Sequence, residues 1–139
     1  QNTISGNIFR GSRWSGVAQY SGAAALITRN EVLDNQQVGI ALYERSGGVL
    51  ISENKIHGND HNGIWIAEGD DVIVVKNVVT RNGTEGVLYG GIGIGKGSPQ
   101  LGDNDSHNNI GDGIWWRPEA TPKIEAGNSS NGTMLPVTP

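Results

Sequence analysis

The chain has 139 residues, 22 of them glycine, with no cysteine and a net charge of −4. This length fits one domain, and the acidic balance argues against a nucleic-acid groove, which requires a basic stripe. No apolar run approaches the length of a membrane span, and no disulfide frames the fold.

One spacing recurs along the chain: asparagine, an apolar residue two positions later, a second asparagine after five positions and glycine after nine. Repeats of this length are typical of solenoids, whose units pack only against their neighbours. The copies start near Asn2, Asn30, Asn54, Asn77 and Asn104, and Asn128 begins an incomplete sixth copy. In the fifth copy Ser106 occupies the apolar position.

Short β-branched segments at 39–42, 49–51 and 72–75 read as strands. Neither the leucine pattern of leucine-rich repeats nor a helical 3.6-residue spacing is present. We therefore predict one all-β domain over residues 1–139, a single-stranded right-handed parallel β-helix of about five coils plus a partial sixth. Asparagine tolerates the left-handed backbone of a sharp corner. We also expect Asn30, Asn54, Asn77 and Asn104 to stack as a hydrogen-bonded ladder.

Three segments, Gly63-Ile64-Trp65-Ile66, residues 99–104 and Gly113-Ile114-Trp115, carry a resemblance to a known family. They resemble the parallel β-helix repeats of carbohydrate-binding and sugar-hydrolase proteins. Similar repeats occur in alginate epimerases, periplasmic copper-maturation proteins and some F-box proteins. The resemblance covers nearly the whole chain and implies a sugar-handling protein at an extracellular or cell-surface location. It is specific for fold rather than function.

Two coils are predicted to be longer than the others at one corner. Counting from Asn7 to Gly16 and from Asn82 to Gly91 gives five extra residues in each, around Arg13-Trp14 and around residues 85–89. Insertions in solenoids collect on one face, often the binding face. The second loop depends on Gly91, and not Gly86, being the counterpart of Gly63.

Alternation along the strands predicts two outward columns. The first is Ala18, Ala41, Trp65, Gly93 and Trp115, and the second is Tyr20, Tyr43, Ala67, Gly95 and Arg117. Trp65 and Trp115 should lie about 10 Å apart, with a bare glycine strip between them that could seat a flat ring. The alternative is that both rings pack under a loop or against a partner. The candidate ligand-binding residues are Trp14, Tyr43, Trp65, Glu68, Tyr89, Gly93, Lys96, Trp115 and Arg117.

Charged residues near this face allow several chemistries. Glu44, Glu68, Asp70 and Asp71 include carboxylates of the kind used in glycoside cleavage or Ca²⁺ binding, but Asp70 and Asp71 are also ordinary turn residues. Lys96 and Arg117 could neutralise a uronate. His57, His61 and His107 are interpreted as surface histidines. We expect no metal site and no cofactor, and Ca²⁺ has no further support in the sequence.

Two function classes follow. The first is a polysaccharide- or oligosaccharide-handling module, more a binding module than a catalyst; as an enzyme it would be a lyase, an epimerase or a glycoside hydrolase. The second is a structural or protein-interaction solenoid that self-associates through its end coils. The repeats also fit a piece of a longer β-helix, or a chain end capped by residues 134–139. Neither a nucleic acid nor a membrane is an expected partner.

Overall fold

A computed structural model of the chain describes residues 1–22, 24–86 and 89–132. The expected cap at 134–139 lies outside these residues. Every regular element of the described part is a β-strand, which confirms the all-β prediction. The strands are β1 (Asn2–Ser5), β2 (Ile8–Arg10), β3 (Val17–Gln19), β4 (Ala25–Thr28), β5 (Glu31–Leu33), β6 (Ile40–Ser52), β7 (Lys55–His57), β8 (Ile64–Val75), β9 (Val78–Thr80), β10 (Ile92–Ile94), β11 (Gln100–Gly102), β12 (Asp105–His107), β13 (Ile114–Trp116), β14 (Lys123–Ile124) and β15 (Ser129–Ser130).

The strands wind into a solenoid with three sides. A nine-stranded sheet covers two sides, and a six-stranded sheet of β2, β5, β7, β9, β12 and β15 covers the third. The strands pair in parallel, each with its counterpart one coil away. β6 and β8 are long because they continue around a corner, where the register shifts between Leu42 and Val49. The architecture is the predicted right-handed parallel β-helix of about five coils.

The core is built from columns of identical or similar side chains. Ile40, Ile64, Ile92 and Ile114 pair in register and are completely buried. Because side chains alternate along a strand, the same positions point inward in successive coils, and Leu42, Ile66 and Ile94 form a second buried column beside the first. The buried hydroxyl of Ser106 stands in an apolar column and donates to the carbonyl of Gly113 at 2.6 Å. This bond satisfies the one polar atom in that position.

The asparagine ladder is confirmed. Each ladder asparagine accepts, on its side-chain oxygen, two hydrogen bonds from the asparagine one coil earlier. A second ladder runs along the next corner. The first ladder contains Asn7, Asn30, Asn54, Asn77, Asn104 and Asn128, and the second contains Asn35, Asn59, Asn82, Asn109 and Asn131.

The left-handed residue at each corner is not the asparagine that we expected. It is the residue immediately before it. At the first ladder Arg29, Glu53, Lys76 and Asp103 have φ between 52° and 57°. The turn is therefore made by one residue, and the asparagine that follows is left in a conformation that directs its side chain inward along the ladder.

The predicted start of the first coil at Asn2 is wrong. Asn2 pairs with Ala25 in the sheet, whereas the backbone N–H of Asn7 donates to Asn30 at 3.0 Å, 23 residues later. At the next corner the backbone N–H of Ser12 donates to Asn35 at 3.0 Å. Ser12 therefore occupies the ladder position of the first coil. It fills this position with its backbone N–H alone, so asparagine is not required at position 12. The predicted loop around Arg13 and Trp14 is consequently not an insertion.

The insertion in the fourth coil is real. Ile92 pairs with Ile64 and Gly93 with Trp65, so Gly91 is the counterpart of Gly63, as predicted. Gly86 instead belongs to a turn in which its N–H donates to the carbonyl of Gly83 at 3.0 Å. Of the residues in this loop, Val87 and Leu88 lie outside the described part of the chain.

Candidate functional site

Most of the aromatic residues lie on one side of the solenoid. Of the eight in the chain, Phe9 and Trp116 pack against the core. The other six lie on the outer surface formed by β3, β10, β13 and the starts of β6 and β8, or on the corner leading into it. We call this surface the aromatic face; its rings belong to Trp14, Tyr20, Tyr43, Trp65, Tyr89 and Trp115. Spread over five coils, it extends about 19 Å along the axis.

Trp65 and Trp115 form a stacked pair at the centre of the aromatic face. Their ring centroids are 5.6 Å apart with an interplanar angle of 28°, although the two residues lie on coils separated by another coil. The guanidinium of Arg117 lies 5.3 Å from the centroid of the Trp65 ring, within the range of a cation–π interaction. Three predicted site residues are therefore in direct contact.

Gly93 lies beneath this pair, and the predicted open strip is wrong. A Cβ atom at Gly93 would fall 2.6 Å from Cζ2 of Trp115 and 3.0 Å from Cε3 of Trp65. The rings lean together across the coil that separates them because Gly93 has no side chain to hold them apart. No space for a flat ligand remains between them, and ligand binding by these residues stays a prediction.

Asn62 fixes the orientation of Trp115. Its side-chain oxygen accepts from the indole Nε1–H of Trp115 at 3.1 Å and from the backbone N–H of Gly90 at 2.9 Å. Asn62 is buried. Our sequence reasoning missed it, although a signal exists: Val38 stands at this position in the preceding coil, so a polar residue here departs from the repeat.

The inserted loop is held by the corner residues of the third coil. The rings of His61 and Tyr89 stack with centroids 4.2 Å apart and planes within 10°. Nε2 of His61 lies 2.8 Å from a carboxylate oxygen of Glu85, and the hydroxyl of Thr84 donates to Asp60. Tyr89 is thus held against the third coil by His61, and His61 has more contacts than the surface histidine that we expected.

The N-terminal part of the aromatic face carries the most exposed rings. Tyr20 stacks on Tyr43 with a centroid distance of 5.0 Å, and the Tyr43 hydroxyl lies 2.8 Å from that of Ser15. Trp14 is 70% exposed and Tyr20 is 67% exposed. These two rings are therefore the ones most open to a ligand.

Charged residues line the far edge of the aromatic face. Arg45 lies 4.0 Å from Glu68 and 3.9 Å from Asp70, so Arg45 engages two of the predicted acidic residues. Gly22, Ser46, Gly47 and Asp71 complete, with Arg45 and Asp70, an open depression of about 360 Å³. Lys96 is exposed nearby. Among the residues that the structure describes, no group of three or more His, Cys, Asp or Glu could hold a metal ion.

The parallel coils, the buried isoleucine columns and the two ladders define a parallel β-helix protein. The chain belongs to the family described as right handed beta helix region, whose model matches residues 1–128. Comparisons with the curated proteins and with the solved structures give no significant match. No helix in the described part of the chain is long and apolar enough to cross a membrane.

Proposed function

We propose that this chain is a polysaccharide- or oligosaccharide-handling module that binds its ligand along the aromatic face. The observation that carries the proposal is the placement of six of the eight aromatic residues on that face or its leading corner. Aromatic rings offer broad apolar surfaces to sugar C–H groups, and the rim of polar side chains supplies hydrogen bonds to hydroxyls.

The shape of the face favours an elongated ligand. Aromatic residues follow the axis for about 19 Å, which suits several linked sugar units better than a compact molecule. Trp14 and Tyr20 are the most exposed of these rings, although Tyr20 stacks one face on Tyr43, whereas Trp65 and Trp115 stack on each other. We therefore assign the main stacking contacts to Trp14 and Tyr20, with the indole pair supplying ring edges.

Polar residues at the rim would complete the site. Arg117 lies in the second outward column, beside Trp65. Glu68 and Lys96 lie just beyond that column. These side chains would hydrogen-bond sugar hydroxyls or a carboxylate. The ion pairs of Glu68 and Asp70 with Arg45 favour a binding role over acid–base chemistry for these groups. A sugar ligand of this kind fits an extracellular or cell-surface location.

Affinity electrophoresis against a panel of soluble polysaccharides, with pull-down on insoluble ones, tests the proposal. Trp14→Ala and Tyr20→Ala should each weaken binding roughly tenfold, as expected for aromatic residues that make the main contacts of an interface. Val78→Ala is the matched control, because Val78 is an exposed apolar residue on the third side of the solenoid. Absence of binding to every polysaccharide in the panel would contradict the proposal.

A second candidate function, self-association, is favoured by the first coil. Ile8, Trp14 and Tyr20, all in this coil, are between 67% and 70% exposed, and within the described residues β1, β2 and β3 each pair on one side only. Unpaired strand edges promote stacking of further coils or copies. Sedimentation velocity should then show concentration-dependent association that Ile8→Lys abolishes. Unchanged polysaccharide binding by Ile8→Lys would separate the two functions.

A further inference from the structure

Asn62 differs from the other buried asparagines. The buried asparagines of the described residues are Asn30, Asn35, Asn54, Asn59, Asn62, Asn77, Asn82, Asn104 and Asn109. All of them except Asn62 belong to one of the two ladders. The fold uses the other eight to join coils at the corners, so Asn62 has a different role.

The bonds of Asn62 join parts of three coils. Its oxygen, on the third coil, accepts from Gly90 at the end of the inserted loop on the fourth coil and from Trp115 on the fifth. Two donors use both lone pairs of an amide oxygen. Because the oxygen is buried, losing it would leave two N–H groups without partners away from water.

The residues before Asn62 hold the rest of the loop. Asp60 bonds Thr84 through its side chain and accepts the Glu85 N–H on its carbonyl, while His61 contacts Glu85 and Tyr89. Three consecutive residues therefore bind the loop, and the third of them also binds the indole pair. Because Gly90 and Trp115 donate to the same oxygen of Asn62, a displacement of the loop at Gly90 would also displace the Trp115 ring.

We propose that Asn62 is the positioning residue of the sugar site, fixing Trp115 over Gly93 and making the inserted loop and the Trp65–Trp115 pair one binding unit. The inference rests on the proposed function for its ligand. Asn62 itself makes no contact with the sugar. It acts by holding Trp115, and with it the exposed edge of the stacked pair.

The test compares two substitutions in the whole chain. Asn62→Leu removes the acceptor at similar size, whereas Asn62→Asp keeps an oxygen in the same place. Stacked indoles produce a coupled near-ultraviolet circular dichroism signal, which reports the pair independently of any ligand. Asn62→Leu should lose more than about half of this signal and bind polysaccharide roughly tenfold more weakly, and Asn62→Asp should restore both. Val38→Ala, at the same position one coil earlier, should lower stability and leave the signal intact.

An unchanged indole signal in folded Asn62→Leu would overturn the proposal. If Asn62→Leu does not fold, hydrogen exchange in the unaltered protein decides the point: the Trp115 indole N–H should exchange far more slowly than that of exposed Trp14, and equal rates would overturn the proposal. If the unaltered protein binds no polysaccharide, the proposed function fails while the circular dichroism and exchange measurements still decide the role of Asn62. Loss of the circular dichroism signal with unchanged polysaccharide affinity would show that Asn62 holds Trp115 but does not position the sugar site, and would overturn the proposal.

Discussion

The side-chain oxygen of Asn54 accepts two hydrogen bonds from Asn30, one from its backbone N–H at 2.9 Å and one from its side-chain amide at 3.1 Å. Asn77 makes the same pair of bonds with Asn54. The backbone N–H and one side-chain N–H of each asparagine are therefore satisfied by the next coil, and the side-chain amide also donates to a carbonyl of the previous coil, Ile4 for Asn30 and Ile27 for Asn54. Such nearest-neighbour contacts make the stability of a solenoid depend on each interface between coils.

Asn54→Ala should lower the free energy of unfolding by about 2–4 kcal/mol, because it leaves the two donors of buried Asn30 unpaired. Urea unfolding followed by circular dichroism measures the change. Asn7→Ala is the control: Asn7 is exposed, and its side chain donates only one long bond to the ladder, 3.3 Å to Asn30. A loss below about 1 kcal/mol is expected there. Equal losses for both variants would argue against the ladder as a source of stability.

Gly93→Ala should separate the stacked indoles. The added methyl would lie 2.6 Å from Trp115, so the rings must move at a cost of about 1–3 kcal/mol, which is typical of overpacking. Gly47→Ala is a suitable control, because its nearest neighbour would be 3.8 Å away, on Asp71. Near-ultraviolet circular dichroism and urea unfolding should change for Gly93→Ala and remain close to the parent for Gly47→Ala.

Much of the fold could be predicted from the sequence because every coil of a solenoid has the same backbone arrangement. The spacing of Asn30, Asn54 and Asn77 predicts both the asparagine ladder and the length of the repeat. Alternation along the strands places Trp65 and Trp115 in one outward column. These features depend on backbone geometry that is the same in every coil. The register of the fourth coil followed from Gly91 for the same reason.

What the sequence did not predict depends on single contacts. Asn2 imitates a ladder residue because the chain is rich in asparagine, while Ser12 fills a ladder position with its backbone N–H alone. The closure of the rings over Gly93 depends on side-chain torsions, which spacing along the chain does not determine. The role of Asn62 likewise depends on a bond to Trp115, 53 residues later.

Asp105 should contribute to stability in a pH-dependent way. The hydrogen bond from the Ser129 hydroxyl and the contacts with His107 lower the pKa of Asp105 from its ordinary value of 3.8, against the opposing effect of burial. A carboxyl whose pKa is lower in the folded state stabilises the fold above its unfolded pKa, and this contribution is lost as the pH falls through the folded pKa. The stability difference between the parent and Asp105→Asn should therefore be constant above about pH 5 and shrink as the pH falls through and below 3.8, the ordinary pKa of the carboxyl.

Urea unfolding at several pH values measures this difference. Ser129→Ala removes the largest cause of the shift and should reduce the pH dependence of the parent in the acid range. A stability difference between the parent and Asp105→Asn that is constant with pH would show that the carboxyl has the same pKa in both states.

Deleting residues 84–88 should preserve the fold and weaken ligand binding. The deletion leaves three residues between Asn82 and the corner glycine Gly91, the same number that separates Asn59 from Gly63 in the preceding coil. The strands on either side, β9 and β10, keep their register through bonds outside the loop. The folding free energy depends only weakly on the length of a loop, so we expect the free energy of unfolding to change by less than about 2 kcal/mol. Polysaccharide affinity should fall because the loop and the aromatic face are joined at His61 and Asn62.

The matched variant carries Thr84→Ala with Glu85→Ala, which removes two side-chain contacts with the third coil and keeps the loop length. Its affinity should lie between those of the parent and the deletion, because the loop keeps the length at which Tyr89 stacks on His61 and Gly90 donates to Asn62. Thermal unfolding and affinity electrophoresis on the three proteins separate the effects. If the deletion unfolds the chain, the loop belongs to the framework of the solenoid. If it leaves both stability and affinity unchanged, the loop is a neutral insertion.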